Sequence, residues 1–399
     1  VRSRRQRQMC IRDRSVMITD GTGTLDISSQ SKMSLEDIKN GGRVDLKLDF
    51  DNFKTKSIFH FLNGKLDPFS AALTGQIQAK ATKNNLFLST KDKVSLGDLD
   101  LLLSAPNPLL SMKNAQLKKM SISLNLEPFQ LKLLTQLHLD QSEIDVEAKI
   151  DDKGINAKLV SSKFNFADIP KISNIPIQGS GELNIDISGA WDNVIFNLDG
   201  KFIDSNVAGY KLGDLEFDAL LPLKEKRLTF KSINAKKGST LLNAKINLAL
   251  SNKAYPLFID YSATKATYND LIEILNPIIP AGFKNYRDIQ ARFKTKGKVH
   301  IDFNNRPVKL DLNVEGNSLS YQGEYFDGFG ADILMNAGRL NIRNLKLARE
   351  ESRGQGLLIL DTDTNYLEYE FLMKKLSLRS FNLYRLSPVS YTHLTLPTT

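Results

Sequence analysis

Apolar and polar residues alternate along most of this 399-residue chain. The alternation is clearest in residues 181–250, where polar or acidic residues separate Leu183, Ile185 and Ile187. Successive side chains of a β-strand point to opposite faces, so strict alternation predicts strands with one apolar and one polar face. Turn-forming residues separate these pieces at intervals of roughly 8–14 residues, which is typical of all-β proteins. The sequence therefore predicts an all-β fold built from an antiparallel sheet.

Two short segments interrupt the alternation. Residues 166–172 and 267–275 are amphipathic, and only the second has the signals of a helix. Thr267 or Asn269 can cap its N-terminus, and prolines follow it. We therefore expect one or two short helices, the clearer one near 267–275. Residues 58–63 could form either a helical turn or a buried strand.

The strand pattern also repeats. Repetition over about a hundred residues predicts stacked units that share one extended apolar surface. Four pairs of residues in similar sequence surroundings are 112–116 residues apart: Gly181 and Gly297, Gly200 and Gly316, Gly209 and Gly323, and Arg227 and Arg339. We predict three regions, which are a degenerate β-repeat region over 15–163, a β-repeat unit with the short helix over 164–295, and a further β-repeat unit over 296–388.

Both ends of the chain resemble translated sequencing adapters. Residues 1–14 and 389–399 match the two strands of such an adapter, so we expect them to be artefacts and 15–388 to be a fragment of a longer protein. Without the first 14 residues, six arginines and one aspartate are lost and the formal net charge falls from +9 to +4. Cys10 is lost with them, which excludes a disulfide or a thiolate metal site in the remainder.

No catalytic or metal-binding pattern is visible. His138 and His300 occupy polar positions of alternating strands, where we expect them to face solvent. Asp361 begins a run that imitates a calcium-binding loop, but Tyr366 and Leu372 replace the glycine and glutamate that its geometry requires. We therefore predict a protein that is not an enzyme and that uses no metal or cofactor.

Basic residues are mixed with acidic ones along the strands. A nucleic-acid-binding surface usually has a concentrated basic stripe with interleaved aromatic residues, so no nucleic-acid partner is predicted. Trp191 lies two residues after Gly189 at a predicted turn, and packing within that turn is a better explanation for it than stacking on a ligand.

The glycines and alternating residues of 179–194, followed by 206–217 and 227–230, resemble the repeats of the AsmA-like family, including its TamB branch. The resemblance is best over 164–361 and depends on a pattern of glycines and apolar residues. Members are large envelope proteins of diderm bacteria that are anchored in the inner membrane and reach across the periplasm. The resemblance implies an elongated sheet curled into an open groove that carries phospholipid between the inner and outer membranes.

The resemblance also implies the location and the partners. We expect a periplasmic protein, anchored to the inner membrane through a segment missing from this fragment, whose groove binds phospholipid acyl chains. An outer-membrane protein would bind through a missing C-terminal region. The alternative function is that of a scaffold or chaperone, which assists outer-membrane protein assembly or secretion by strand augmentation.

A sheet with one apolar face must cover that face with protein or with a ligand. One convincing helix is too little to cover so many strands, although alternation alone does not distinguish an open groove from a sealed sandwich. The candidate lining residues of the groove are apolar positions on one side of their strands: Leu183, Ile185, Ile187, Phe196, Leu198, Phe217, Phe230, Ile246, Leu248, Val299, Ile301, Leu312, Val314, Leu340 and Ile342.

Overall fold

Antiparallel β-strands make up most of the computed structural model, so the all-β prediction is confirmed. The predicted adapter ends and residues 58–63 lie outside the described residues. The predicted curl of the sheet into a groove stays a prediction. The structure describes residues 15–19, 23–29, 42–54, 69–101, 110–169, 171–172, 175–250, 256–274, 277, 288–301, 308–321, 323–336, 338–361, 364 and 366–374.

The chain divides into two compact units, of which unit 1 is Val1–Lys237 with Lys245–Lys253 and unit 2 is Gly238–Ala244 with Ala254–Thr399. The strands of unit 1 are β1 (Ser15–Thr19), β2 (Thr24–Ser29), β3 (Val44–Lys54), β4 (Phe69–Ser70), β5 (Ala72–Ala81), β6 (Asn85–Thr90), β7 (Val94–Leu101), β8 (Leu110–Leu126), β9 (Phe129–His138), β10 (Glu143–Asp151), β11 (Gly154–Asn165), β12 (Lys171–Ile172), β13 (Ile175–Ala190), β14 (Ile195–Val207), β15 (Tyr210–Pro222) and β16 (Arg227–Lys237).

The next strand, β17 (Thr240–Ala249), has residues in both units. Unit 2 continues with β18 (Leu257–Thr267), the helix α1 (Tyr268–Ile274), β19 (Gln290–Ile301), β20 (Val308–Tyr321), β21 (Glu324–Phe326), β22 (Gly328–Asn336), β23 (Arg339–Arg349), β24 (Ser352–Asp361) and β25 (Tyr366–Lys374). The region boundaries predicted at 163/164 and 295/296 fall within β11 and β19 and stay predictions.

Most strands pair with the strand that precedes or follows them in sequence. Neighbouring strands in the sheet of unit 1 follow the order β1, β2, β3, β5, β6 and β8. From β8 the order continues through β9, β10, β11, β13, β14, β15 and β16. The short β12 pairs with both β8 and β13. In unit 2 the order is β18, β19, β20, β22, β23, β24 and β25, and β21 pairs with β20.

The pairing register determines which side chains share a face, because directly opposed residues of an antiparallel pair lie on the same side. Leu159, Ile185, Leu198, Ala219 and Phe230 are opposed in succession from β11 to β16. They define one face of unit 1, which we call apolar face 1. In unit 2, apolar face 2 is defined by a corresponding row from β20 to β24: Leu312, Ile333, Ile342 and Leu358.

The buried core of unit 1 lies on apolar face 1. Phe50, Leu137, Ile144 and Phe164 are buried in one contiguous hydrophobic cluster. Full burial of a side chain of this size contributes about 1.5–3 kcal/mol. This cluster extends as far as Phe202 in β14, and most apolar side chains of β15 and β16 are only half-buried.

A buried aspartate connects two turns at one end of the strands in unit 1. Asp168, which is 4% exposed, accepts a hydrogen bond from Ser142 Oγ at 2.6 Å and one from the Gln141 amide at 3.0 Å. Ser142 Oγ also accepts a hydrogen bond from the Asn165 amide at 2.8 Å. The segment after β11 is therefore held against the β9–β10 turn, and residues 166–169 form turns rather than a second helix.

The same arrangement recurs in unit 2. Asp270 accepts hydrogen bonds from Thr240 Oγ1 at 2.8 Å and from the Thr240 amide at 3.3 Å. Thr240 Oγ1 accepts a hydrogen bond from the Thr267 amide at 3.1 Å. Thr267 Oγ1 in turn accepts one from the Asp270 amide at 3.2 Å, which makes Thr267 the N-cap of α1. The helix predicted near 267–275 is confirmed.

Candidate functional site

The predicted lining residues of β13–β16 all lie on apolar face 1. Leu183, Ile185 and Ile187 are directly opposite Gly200, Leu198 and Phe196 of β14. On the next strand Phe217 is opposite Gly200, and Phe230 of β16 is opposite Ala219 of β15. The alternation in the sequence therefore identified one continuous surface across these four strands.

Ile246 and Leu248 extend this surface onto β17. Asn247, which lies between them, has its side-chain oxygen 3.1 Å from Thr229 Oγ1. Thr229 is opposite Leu220, and Leu220 is opposite Asn197 on the polar side of the sheet. Because neighbours along a strand point to opposite faces, Ile246 and Leu248 point to the apolar side.

The six predicted residues of unit 2 share apolar face 2. Val299 and Ile301 of β19 are opposite Leu310 and Val308, and Val314 is opposite Thr295. Leu312 is opposite Ile333, which is opposite Ile342, and Leu340 is opposite Met335. A polar group on this face is also paired: Tyr261 O–H is 3.1 Å from Thr295 Oγ1, and burial raises the pKa of Tyr261.

The exposure of these side chains is intermediate. Of the fifteen predicted lining residues, Ile301 is buried, with 8% exposed, and the others are half-buried. A sealed core would bury most of them as completely as Phe164, which is 3% exposed. Neighbouring side chains on the same face therefore cover these residues only in part.

On the opposite, polar face of each unit, charged side chains of adjacent strands form ion pairs. Lys201 and Glu216 form an ion pair at 3.2 Å across β14 and β15. In unit 2, Lys294 donates to Glu315 at 2.9 Å, and this contact holds the pKa of the Glu315 carboxyl below its ordinary value. Glu182 is exposed on this face. These carboxylates are ordinary solvated partners of cross-strand pairs.

The prediction that His138 faces solvent is wrong. Its side chain is 13% exposed and lies between Lys118 Nζ, 3.1 Å from Nδ1, and Glu143 Oε1, 3.3 Å from Nδ1. Burial lowers the pKa of His138, although Glu143 acts in the opposite direction. The long side chains of the adjacent strands cover the ring, which single-strand alternation does not reveal. His300 is half-buried and stacks on Phe258 with ring centroids 4.3 Å apart.

Trp191 and Asp361 both form hydrogen bonds near strand ends. Trp191 is 55% exposed and donates from Nε1 at 3.0 Å to the carbonyl of Asp151, so it connects the turn after β13 to the end of β10. Asp361 Oδ1 accepts a hydrogen bond from the Thr364 amide at 3.0 Å. Among the described residues, no three His, Cys, Asp or Glu side chains are grouped so that they could hold a metal ion.

The residues that the sequence repeat pairs lie in corresponding elements, but the pairing register of those elements differs. Gly181 and Gly297 lie in β13 and β19, and Gly200 and Gly316 lie in β14 and β20. Gly209 and Gly323 lie in turns, and Arg227 and Arg339 begin β16 and β23. Gly200 is opposite Leu183, however, whereas Gly316 is opposite Phe293 and not Val299. The slip of six residues is even, so the same kinds of side chain stay on the apolar face.

A set of aromatic residues on apolar face 1 was not predicted from the sequence. Phe164, Phe166 and Phe202 have ring centroids 4.9–6.1 Å apart. Phe202 is stacked on Phe217 at 6.0 Å, and Phe217 contacts Phe230 at 5.7 Å. Isolated glycines within predicted strands, such as Gly181 and Gly200, were the available signal, because they mark places where a neighbouring group approaches the backbone closely.

Among the described residues, no helix has both the length and the apolar composition needed to cross a membrane. No family model matches the chain, and neither a curated protein nor a solved structure matches it.

Proposed function

We propose that apolar faces 1 and 2 bind the acyl chains of phospholipids. The chain is then a fragment of an AsmA-like, TamB-type protein that carries phospholipid between the inner and outer membranes. In this proposal it works in the periplasm, anchored to the inner membrane by a segment outside these residues, and it catalyses no reaction. The observation that supports the proposal is that half-buried apolar residues lie opposite one another across consecutive strands of each unit.

Acyl chains match these faces chemically. Each methylene that leaves water for an apolar surface contributes about 0.8 kcal/mol, so one chain can supply the cover that the faces lack. The rows of apolar residues run across the strands, and a hydrocarbon chain forms no hydrogen bond that must break when it moves along them. Such a surface therefore favours lateral movement over fixed binding.

Lysine substitutions on the two apolar faces test whether these faces carry phospholipid. We expect Ile185→Lys combined with Leu312→Lys to slow the transfer of a fluorescent phospholipid between donor and acceptor vesicles several-fold, because an unpaired charge beside hydrocarbon costs several kcal/mol. The matched control is Ser232→Lys combined with Asn317→Lys, since both residues are exposed. Circular dichroism checks that the sheet is retained. Equal transfer by the two double variants would contradict the proposal.

A second candidate function rests on the edge strand β25. Within the described residues β25 pairs only with β24, and Tyr366, Leu367, Tyr369 and Leu372 are each more than half exposed. An exposed apolar edge is a template for another strand, as strand augmentation requires. A scaffold for outer-membrane proteins would therefore form crosslinks to client strands at β25, whereas a lipid carrier would form lipid crosslinks along the apolar faces.

A further inference from the structure

A line of glycine and phenylalanine residues crosses apolar face 2. Phe293 is opposite Gly316, Gly316 is opposite Phe329, and Phe329 is opposite Leu347. Leu347 is opposite Gly354 of β24, and the ring of Phe371 from β25 lies against Gly354. We call these six residues the glycine–phenylalanine row.

The rings lie on the backbone of the neighbouring strands. A Cβ on Gly316 would overlap ring carbons Cε1 and Cζ of Phe329. A Cβ on Gly354 would lie 2.8 Å from Phe371 Cε1 and overlap Cζ. The rings therefore occupy the space that side chains would fill at the glycines. Side chains elsewhere on the face stand roughly perpendicular to the sheet, whereas these rings lie against the backbone at the glycines.

Apolar face 1 has a comparable feature. A Cβ on Gly200 would lie 2.6 Å from Phe202 Cε2 and 3.0 Å from Phe217 Cε1. Phe217 then contacts Phe230 on the next strand. In both units, therefore, a phenylalanine ring covers a glycine of the neighbouring strand, although the strands of the two units pair in different registers.

We propose that the glycine–phenylalanine row is the track along which a single acyl chain lies; this inference rests on the proposed function. The row crosses six strands, and at about 4.8 Å between neighbouring strands it is about 24 Å long. One leaflet of a bilayer is roughly 15 Å of hydrocarbon, so the row is long enough for one extended chain. It is one side chain wide and consists of Phe, Leu and Gly side chains, which offer no hydrogen bond. This lining matches a hydrocarbon chain, which needs no hydrogen bond along its length.

The track is tested with the full chain and phosphatidylcholine that carries a diazirine on one acyl chain. After photolysis, mass spectrometry maps the adducts. We expect at least fivefold more adduct on Phe329 and Leu347 than on Ile333 and Ile342, which lie on the same face outside the row. Equal labelling of the two pairs overturns the track and leaves the proposed function intact. Absence of adducts from the whole face would instead contradict the proposed function.

A glycine substitution adds a second readout. Gly354→Ala displaces the ring of Phe371, which is 40% exposed and free to move outward, so adduct on Leu347 should fall several-fold. Gly330→Ala is the matched control, because the nearest atom to its added Cβ would be the Val314 carbonyl oxygen at 3.4 Å. Equal loss in both variants, or none in Gly354→Ala, overturns the track. If Gly354→Ala fails to fold, the adduct map of the unsubstituted chain decides alone.

Discussion

Lys118 and Glu143 flank the His138 imidazole on the polar face of unit 1. An Nδ1 that accepts a hydrogen bond from Lys118 carries no proton, so this contact favours the neutral ring. Burial acts in the same direction by lowering the pKa of His138 from its ordinary value of 6.5. His138 therefore binds a proton at a lower pH in the folded protein than in the unfolded chain.

Stability should consequently fall as the pH decreases below about 6.5, because the unfolded state binds the proton first. The loss continues until the folded-state pKa of His138 is passed. His138→Gln removes the titrating group and can keep an acceptor for Lys118. We expect urea unfolding at pH 7 and pH 5 to show a smaller difference in the free energy of unfolding for this variant than for the unsubstituted chain. The same difference in both proteins would contradict the assignment.

At the scale of elements, two aspartates fix the segments that follow β11 and β18. Alternation correctly predicted the strands, and the helix was also predicted, with Thr267 as one of the two caps that the sequence offered. The role of Asp168 and Asp270 could not be predicted, because each binds a turn about thirty residues earlier in the chain. The register slip between β13–β14 and β19–β20 was equally hidden, since an even shift leaves the alternation unchanged.

Asp168→Ala should destabilise unit 1 by roughly 2–3 kcal/mol, because Ser142 Oγ and the Gln141 amide lose a charged acceptor in a buried place. Asp152→Ala is the control; this exposed turn residue should change stability by less than about 0.5 kcal/mol. Chemical denaturation of both variants gives the two values. If they destabilise the chain equally, Asp168 has no special role in holding the turn.

At the scale of the whole chain, the same surface chemistry recurs in two units. Each unit has one apolar face, on which most of the predicted lining residues are half-buried, and an opposite face of cross-strand polar pairs. Alternation was sufficient to place the fifteen predicted lining residues on the two apolar faces, because successive side chains of a strand point to opposite sides. The glycine–phenylalanine row needed the register, since glycine has no side chain to mark its face and its partner lies on another strand.

We propose that hydrocarbon from lipid covers these two faces. The most direct measurement is native mass spectrometry of the full chain purified from a bacterial envelope, with extraction and identification of any bound lipid. We expect phospholipid to be bound in amounts comparable to the protein, and much less of it in the double variant Ile185→Lys, Leu312→Lys. A lipid-free chain, or lipid retained equally by that variant, would contradict it.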